Sequence, residues 1–351
     1  KTLAILGATG KQGSSVLSAV LASSVLTTLY PSIRALTRSP TSPAALALLS
    51  SHPNPHSANI TLHAADLSSS SSTLPPALSG VHTLFAMTVP APPGPPATME
   101  SAEYTAGVTL VDAAIAAGVD TIVWSTLPSY RTLSGGKFPR VAVFEAKARV
   151  EGYIRSKQAE GVIKGVFISP GYFFENFLNA GHFFAPKPTT APGEDEEWVV
   201  ALPLRRETRI PLVDGGRDVG RFVAGVLEGV GGFVGRTVAA SEKRYSVGEI
   251  VEALGRGTGK RVVFREVEAG EWETGLRGVV GDVAGVLADA MGTLREVGHY
   301  SAEEGEEEDM IRWAVENAAG GEVRTLVEFL ADGPKELVGG GELKFAGNGG
   351  Q

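Results

Sequence analysis

The chain has 351 residues, 43% of them hydrophobic, which predicts about two domains or one large α/β unit with a smaller lobe. Its net charge of −8 argues against direct binding of nucleic acid, and its lack of cysteine excludes disulfides, thiol catalysis and cysteine-based zinc sites. The histidines have no metal-ligand spacing, and no apolar run approaches the ~18 residues of a membrane span. We therefore expect no metal site and no membrane segment.

The first predicted elements form a strand–turn–helix unit. Residues 2–6 predict a buried strand, and residues 14–26 have apolar residues at helical spacing. Glycines between them form a G-x-x-G-x-x-G pattern, which allows a tight turn and places a helix N-terminus beside a bound pyrophosphate. An ordinary glycine-rich turn is the alternative; a Walker-type loop is excluded because Gln12 follows Lys11. The expected dinucleotide contacts here are Gly7, Thr9, Gly10, Lys11, Gln12 and Gly13.

Strands and helices then alternate as far as residue 170. We predict strands at 32–38, 59–64, 82–88, 121–125 and 162–169, and helices at 44–49, 99–117 and 143–158. A serine run at 68–72 predicts a flexible surface loop, and prolines at 90–96 predict a stiff segment that is neither helix nor central strand. This alternation predicts an α/β fold with a Rossmann-type, doubly wound parallel sheet.

Beyond residue 170 the pattern predicts a smaller α+β lobe. We predict strands at 198–202, 208–212, 236–240 and 261–266, and helices at 218–228, 246–255, near 279–287, 307–319 and 323–330. Ser246 and Glu249 form a capping box, and the acidic run 303–309 predicts a helix N-terminus rather than an acidic binding tail. We expect a cofactor domain of residues 1–170 with returning elements at about 211–241, a lobe of residues 171–210 and 242–335, and a flexible glycine-rich tail at 336–351.

The end of the second strand indicates which dinucleotide binds. Proteins that bind an unphosphorylated ribose usually carry Asp or Glu there, but this chain has Thr37 and Arg38. A guanidinium can pair with a 2′-phosphate through two hydrogen bonds, so NADP(H) is favoured over NAD(H), with a solvated arginine as the alternative. Asp66 and Leu67 follow the third strand and are expected to border the adenine, although Asp is also common in turns.

The helix at 143–158 has one lysine on its apolar face. Val143, Lys147, Val150 and Ile154 are spaced by four, three and four residues, which places them on a single stripe. A lysine on a core-facing stripe needs a partner at its ammonium, and the hydroxyl pair of a ribose would serve. The alternative is a lysine that snorkels to solvent.

These segments together resemble the NmrA-like proteins, an atypical branch of the short-chain dehydrogenase/reductases. The resemblance covers about residues 2–332 and rests on the glycine turn, the Thr-Arg strand end, K-A-R-V-E at 147–151, S-P-G-Y-F-F-E-N-F at 169–177 and the strand–helix–strand block at 235–263. It implies an NADP(H) site at the carboxyl edge of the sheet. Further cofactor contacts are then expected from Met87, Thr88, Lys147, Pro170, Tyr172 and Phe173.

One departure from the superfamily concerns its catalytic triad of Ser, Tyr and Lys, in which Tyr precedes Lys by four residues. Tyr153 and Lys157 have that spacing, but they lie at the far end of the helix. The K-x-x-V-E pattern of extended members matches Lys147, which places Val143 at the tyrosine position and Leu127 at the serine position. Because neither side chain can give a proton, the usual proton relay cannot operate.

Two functions follow from this resemblance. NmrA-like proteins include dinucleotide-sensing regulators such as the fungal nitrogen-metabolite repressor, so we expect an NADP(H) sensor that acts through a protein partner such as a transcription regulator. The alternative is an NADPH-dependent reductase or isomerase of a small hydrophobic metabolite, with Lys147 as acid/base. The loop 172–177, with Phe183 and Phe184, either walls a substrate pocket or joins the lobes. We expect a monomer or homodimer in the cytoplasm, with a nuclear location also open.

Overall fold

A computed structural model describes residues 1–51, 56, 58–67, 73–179, 182–189, 197–303 and 305–332. The serine run at 68–72 and the tail at 336–351 lie outside the described residues. The strands are β1 (Thr2–Leu6), β2 (Ser32–Thr37), β3 (Asn59–Ala64), β4 (Thr83–Ala86), β5 (Thr121–Ser125), β6 (Lys164–Pro170), β7 (Tyr172–Phe173), β8 (Lys187–Pro188), β9 (Glu197–Leu202), β10 (Arg209–Val213), β11 (Thr237–Ala240), β12 (Lys243–Ser246) and β13 (Arg261–Glu266).

The helices complete the alternation. They are α1 (Lys11–Ala22), α2 (Ser24–Leu29), α3 (Pro43–Ser51), α4 (Leu74–Leu78), α5 (Pro96–Ala116), α6 (Tyr130–Leu133), α7 (Ala142–Ala159), α8 (Asp218–Glu228), α9 (Val230–Phe233), α10 (Val247–Thr258), α11 (Ala269–Val280), α12 (Val283–Glu296), α13 (Glu306–Ala318) and α14 (Leu326–Asp332), with a 3₁₀ turn at Phe174–Phe177.

The largest sheet is parallel and has the strand order β11-β6-β5-β4-β1-β2-β3, which confirms the predicted Rossmann-type architecture. Successive side chains of β1 pack in different hydrophobic cores, because the side chains of a strand point alternately to the two faces of the sheet. Leu3 and Ile5 pack with α1 and α8, whereas Ala4 and Leu6 pack on the face that α5 and α7 cover. The order reverses beside β1, and sheets of this kind bind their ligands in a crevice at the carboxyl edge of such a reversal.

Two smaller sheets, β12-β10-β7 and β13-β9-β8, belong to the later part of the chain. Ile210 and Leu212 of β10 pack with Ile250 of α10 and Met291 of α12 in a separate hydrophobic core. Strand β11 instead returns to the large sheet beside β6, where α13 packs against it. The domain boundaries given above stay a prediction.

The strands at 59–64, 121–125 and 261–266 and the helix at 218–228 have the predicted bounds. The helix predicted at 14–26 is instead two helices, because Ser23 leaves helical geometry and its hydroxyl accepts the backbone N–H of Leu26 at 3.2 Å. The helix predicted near 279–287 spans the junction between α11 and α12, where Gly281 has φ +59°. The proline segment ends earlier than predicted, since Pro96 is the first residue of α5.

The predicted caps lie where the sequence placed them. Ser246 and Glu249 form both hydrogen bonds of the capping box, at 3.1 and 2.7 Å. The acidic run contains the first turn of α13, as expected. One of its members has a second role, because Glu307 is buried and accepts backbone N–H groups from residues 299, 300 and 301.

Candidate functional site

The glycine turn joins β1 to α1 and leaves no room for a side chain at residue 13. Gly7 has φ +68°, and its carbonyl accepts the N–H of Gly10 at 2.8 Å. A Cβ added to Gly13 would lie 2.2 Å from that same carbonyl oxygen, so α1 packs directly on the turn. The first turn of α1 has no side-chain cap, so its N–H groups are not taken by a capping side chain and are of the kind that bind an anion.

Side chains at the start of α1 are tied to neighbouring strand ends. Gln12 accepts the hydroxyl of Ser125, the last residue of β5, at 2.8 Å. Lys11 donates to Glu175 at 2.8 Å, and the second oxygen of that carboxylate accepts the N–H of Gly215 at 3.2 Å. Thr9 is exposed at the turn. The six predicted glycine-turn residues therefore lie together between the carboxyl end of β1 and the first turn of α1, and their contact with a dinucleotide stays a prediction.

Arg38 directly follows β2 and is exposed at the carboxyl edge. Within the part of the chain that the structure describes, its guanidinium has no ion pair or hydrogen bond. Asp66 and Leu67 follow β3 and are half-buried, with the Asp66 N–H donated to Thr73 at 3.2 Å. These positions place one unpaired cation on the β2 side of the crevice, where a 2′-phosphate is predicted.

Lys147 has partners that the sequence did not predict. Its ammonium donates to the carbonyl and hydroxyl oxygens of Thr88, at 3.1 and 3.2 Å, and forms an ion pair with Glu103. The three hydrogens of the ammonium therefore have three protein acceptors. Lys147 is only 8% exposed, so it does not snorkel. The burial of Lys147 predicted a partner for its ammonium. The structure has such a partner in the protein itself, the carboxylate of Glu103 on α5.

The close approach of α5 and α7 creates this ion pair. A Cβ at Gly107 would lie 2.4 Å from a methyl group of Val150, so only glycine lets the helices pack at this distance. Glu103 lies one turn before Gly107, and Lys147 lies one turn before Val150. The glycine is the sequence signal that could have indicated the contact, although it does not name the partner.

The Tyr153–Lys157 pair lies at the other edge of the sheet. Helix α7 connects the parallel strands β5 and β6 and so runs opposite to them, with its first turns at the carboxyl edge. Tyr153 donates to Asp112 at 2.6 Å, and Lys157 pairs with Glu160 at 2.9 Å, both towards the amino edge. The spacing in sequence matches the dehydrogenase pattern, but the location does not.

Strand β6 leads the chain from the crevice into the smaller sheets. Pro170 ends β6, and Tyr172 and Phe173 form β7, which pairs with β10. The Phe173 ring packs on Gly215, where a Cβ would lie 2.7 Å from it. Met87 and Thr88 directly follow β4. The remaining predicted cofactor contacts thus lie at the carboxyl ends of β4 and β6, on the side of the crevice opposite Arg38.

A buried group of hydroxyls and an imidazole adjoins Tyr172. The hydroxyls of Tyr172 and Tyr130 are 3.3 Å apart, and that of Tyr130 is 2.5 Å from Nδ1 of His299. The Tyr130 ring stacks on Phe144, the neighbour of Val143, with 4.0 Å between centroids. Burial lowers the pKa of His299 to about 3 and raises that of Tyr130, so both stay neutral at pH 7.

Sequence reasoning missed Tyr130 and His299, because they lie far apart in the chain and match no motif. The sequence did indicate Tyr172 and the aromatic residues Phe183 and Phe184. The Phe184 ring meets Tyr172 edge-on at 5.4 Å, and both phenylalanines belong to or pack on the second core. The aromatic loop therefore helps to form the core of the smaller lobe. The described ranges contain no group of three metal-ligating side chains and no helix long and apolar enough to cross a membrane.

Comparison with known proteins gives one consistent family. Residues 1–330 match the sequence model of the NmrA-like family. The NmrA-like family domain-containing oxidoreductase ptmS of Penicillium ochrochloron is 31% identical over 284 residues, which are 76% of each chain. The nitrogen metabolite repression protein nmr of Neurospora crassa is 28% identical over 166 residues, 46% of this chain and 32% of that protein.

Solved structures agree on the fold. NmrA, a negative transcriptional regulator crystallised with NADP, superimposes with a TM-score of 0.67 at 21% identity, covering 95% of this chain and 94% of that one. The NADPH-dependent quinone oxidoreductase QOR2 of Escherichia coli, crystallised with NADPH, gives a TM-score of 0.67 at 19% identity, covering 94% and 98%. A regulator and a reductase thus share the architecture described above.

Proposed function

This chain belongs to the NmrA-like family, and we propose that it binds NADP(H) in the crevice and acts as a dinucleotide-responsive regulator of a protein partner. The glycine turn and the free N-terminus of α1 would hold the pyrophosphate, and Arg38 would pair with the 2′-phosphate. Structural neighbours were crystallised with NAD as well as with NADP or NADPH, which supports a nicotinamide dinucleotide as the ligand, and Arg38 is the reason for preferring the phosphorylated form.

The observation that carries the regulatory role is the state of Lys147. The positions that supply Ser and Tyr in the dehydrogenases hold Leu127 and Val143, and the hydrogens of Lys147 are taken by Glu103 and Thr88. The ammonium of Lys147 thus donates its hydrogens to acceptors of the protein itself, and none of them is left over for a substrate. On this proposal the crevice would bind the dinucleotide without the usual proton relay.

The experiment compares binding with turnover in the same preparation. Calorimetry should give micromolar or tighter binding of NADPH, and NADPH absorbance should stay constant with a panel of aldehydes, ketones, enones and quinones. Lys147→Ala should leave the affinity for NADPH within a few-fold, because the hydrogens of this ammonium are donated to Glu103 and Thr88. Turnover at enzyme-like rates that Lys147→Ala abolishes would refute the regulatory role.

A second function is favoured by one specific contact. Tyr172 lies two residues beyond Pro170, and its hydroxyl is 3.3 Å from that of Tyr130; we infer that this hydroxyl would be the proton donor if the protein reduced a substrate. Several curated relatives, among them FrzB of Cladobotryum at 29% identity, are described as oxidoreductases. The protein would then reduce a small hydrophobic compound with NADPH. In that case Tyr172→Phe should lower turnover by roughly a hundred-fold while NADPH affinity stays within a few-fold.

A further inference from the structure

A salt bridge joins the start of α1 to the second hydrophobic core. Lys11 is the first residue of α1, and its ammonium donates to Oε1 of Glu175 at 2.8 Å. Glu175 lies in the 3₁₀ turn between Phe174 and Phe177, whose rings are both buried in that core. The contact therefore connects the predicted pyrophosphate site with the part of the chain that follows β6.

Glu175 has a second partner that keeps its carboxylate in place. Its Oε2 accepts the N–H of Gly215 at 3.2 Å. The loop that contains Gly215 is itself fixed by Asp214, which accepts two backbone N–H groups of that loop, at 3.0 and 2.9 Å, and pairs with Arg324 at 3.0 Å. The carboxylate therefore retains a backbone donor and a fixed position even when Lys11 leaves it.

Lys11 is the member of the pair that is able to move. Its side chain is 42% exposed, against 21% for Glu175. Within the described ranges of the chain, Glu175 is the only acceptor of its ammonium. A lysine carries its charge on a flexible arm with three donor hydrogens, so the ammonium can turn from Glu175 to an anion at the first turn of α1 while the helix stays in place.

We propose that Glu175 competes with the pyrophosphate of the dinucleotide for Lys11. In the protein without ligand, Glu175 holds the ammonium. When the dinucleotide binds at the first turn of α1, Lys11 leaves Glu175 and pairs with a phosphate oxygen. The carboxylate stays near the two negative charges of the pyrophosphate and opposes binding. Glu175 therefore lowers the affinity of the site.

The exchange of partners also regulates the site, and this inference rests on the proposed NADP(H) binding. Each bound dinucleotide breaks a contact between α1 and the 3₁₀ turn of the second core. Because linkage is reciprocal, anything that keeps Lys11 on Glu175 weakens the dinucleotide by the same factor. The pair thus links occupancy of the site to the second core, which a dinucleotide-responsive regulator requires.

The test variant is Glu175→Gln, which keeps an oxygen acceptor for the Gly215 N–H but removes the charge. Its dissociation constants for NADPH and for NADH, measured by calorimetry, should both fall by about threefold to tenfold, because Lys11 is freed and a repulsion is removed. Both cofactors respond because both carry the pyrophosphate. Glu160→Gln is the matched control, since Glu160 also pairs with a lysine, Lys157, at 2.9 Å but towards the amino edge of the sheet. Its dissociation constants should stay within about twofold.

Lys11→Met separates competition for the ammonium from a simple charge effect of Glu175. In the unmodified protein this substitution should weaken NADPH binding by less than about threefold, because the bond lost to the phosphate is offset by the bond to Glu175 that no longer has to break. In the Glu175→Gln background Lys11 is free, and the same substitution should weaken NADPH binding by about tenfold.

Two outcomes would overturn the inference: an unchanged or weaker affinity of Glu175→Gln for both cofactors, and an equal cost of Lys11→Met in the two backgrounds. If Glu175→Gln fails to fold, Lys11→Met decides alone, because a loss above about threefold would mean that the ammonium is already free for the phosphate. Failure of the unmodified protein to bind either cofactor would refute the proposed function itself, which is a different outcome.

Discussion

Replacing Arg38 with Ala should abolish the preference for a phosphorylated dinucleotide. In the structure the guanidinium is exposed at the end of β2, and no acidic partner within the described residues would have to be displaced before it bound a phosphate. A hydrogen bond to a charged group contributes about 1.5–3 kcal/mol, which corresponds to roughly 10- to 150-fold in affinity. Because Arg38 is exposed, solvent and salt weaken the interaction, and we expect the lower end of that range.

The assay is calorimetric titration with NADPH and with NADH at one ionic strength. Arg38→Ala should weaken NADPH binding by about tenfold and leave NADH binding unchanged, since NADH has no 2′-phosphate. Arg256→Ala is a suitable control, because Arg256 is also exposed but lies in the last turn of α10. Equal affinity of the unmodified protein for the two cofactors would refute the reasoning, as would an equal loss for both in the variant.

Three further predictions concern stability and the role of α7. Burial lowers the pKa of His299 to about 3. As the pH falls below about 6.5, this imidazole is therefore protonated in the unfolded chain but not in the folded one, which favours unfolding. The free energy of unfolding measured in urea should therefore fall by about 2 kcal/mol between pH 7 and pH 5. This fall should disappear in His299→Gln. Gly13→Ala should lower the free energy of unfolding by about 1–3 kcal/mol through overpacking, and it should weaken NADPH binding. The control is Gly152→Ala, at an open helix position, which should be neutral or slightly stabilising in the same melting and binding assays. Tyr153→Phe should leave NADPH affinity within a few-fold in a titration, because its hydroxyl bonds Asp112 away from the crevice, and a loss of orders of magnitude would contradict this location.

Most of the large sheet could be predicted because its strands are buried on both faces. Strand β5 is a continuous buried run that contains Ile122, Val123 and Trp124, and such runs between turn signals are typical of parallel sheets. Helix α11 was missed for the opposite reason, since none of its residues is fully buried and its stability depends on packing against α12. The short strands β7 and β12 have too few residues to show the alternation of apolar and polar side chains that identifies a strand. Their extended conformation depends on pairing with β10.

The candidate site was predictable only as far as its local motifs. The glycine turn, Arg38 and the loop after Pro170 are each contained in one stretch of sequence, and the structure brings them to the edge that was expected. Contacts between distant segments were not predictable. His299 lies 169 residues from Tyr130, and no pattern in the sequence links them.

Lys147 shows how the two kinds of information combine. Its position on a buried stripe required a partner, because an unpaired buried ammonium is too costly, and this much followed from spacing alone. The identity of the partner depends on the distance between α5 and α7, which the contact of Gly107 with Val150 keeps short. A side chain at residue 107 would push the helices apart and stretch the bond from Lys147 to Glu103. The glycine that lets the helices pack therefore also brings the carboxylate of Glu103 within reach of the Lys147 ammonium.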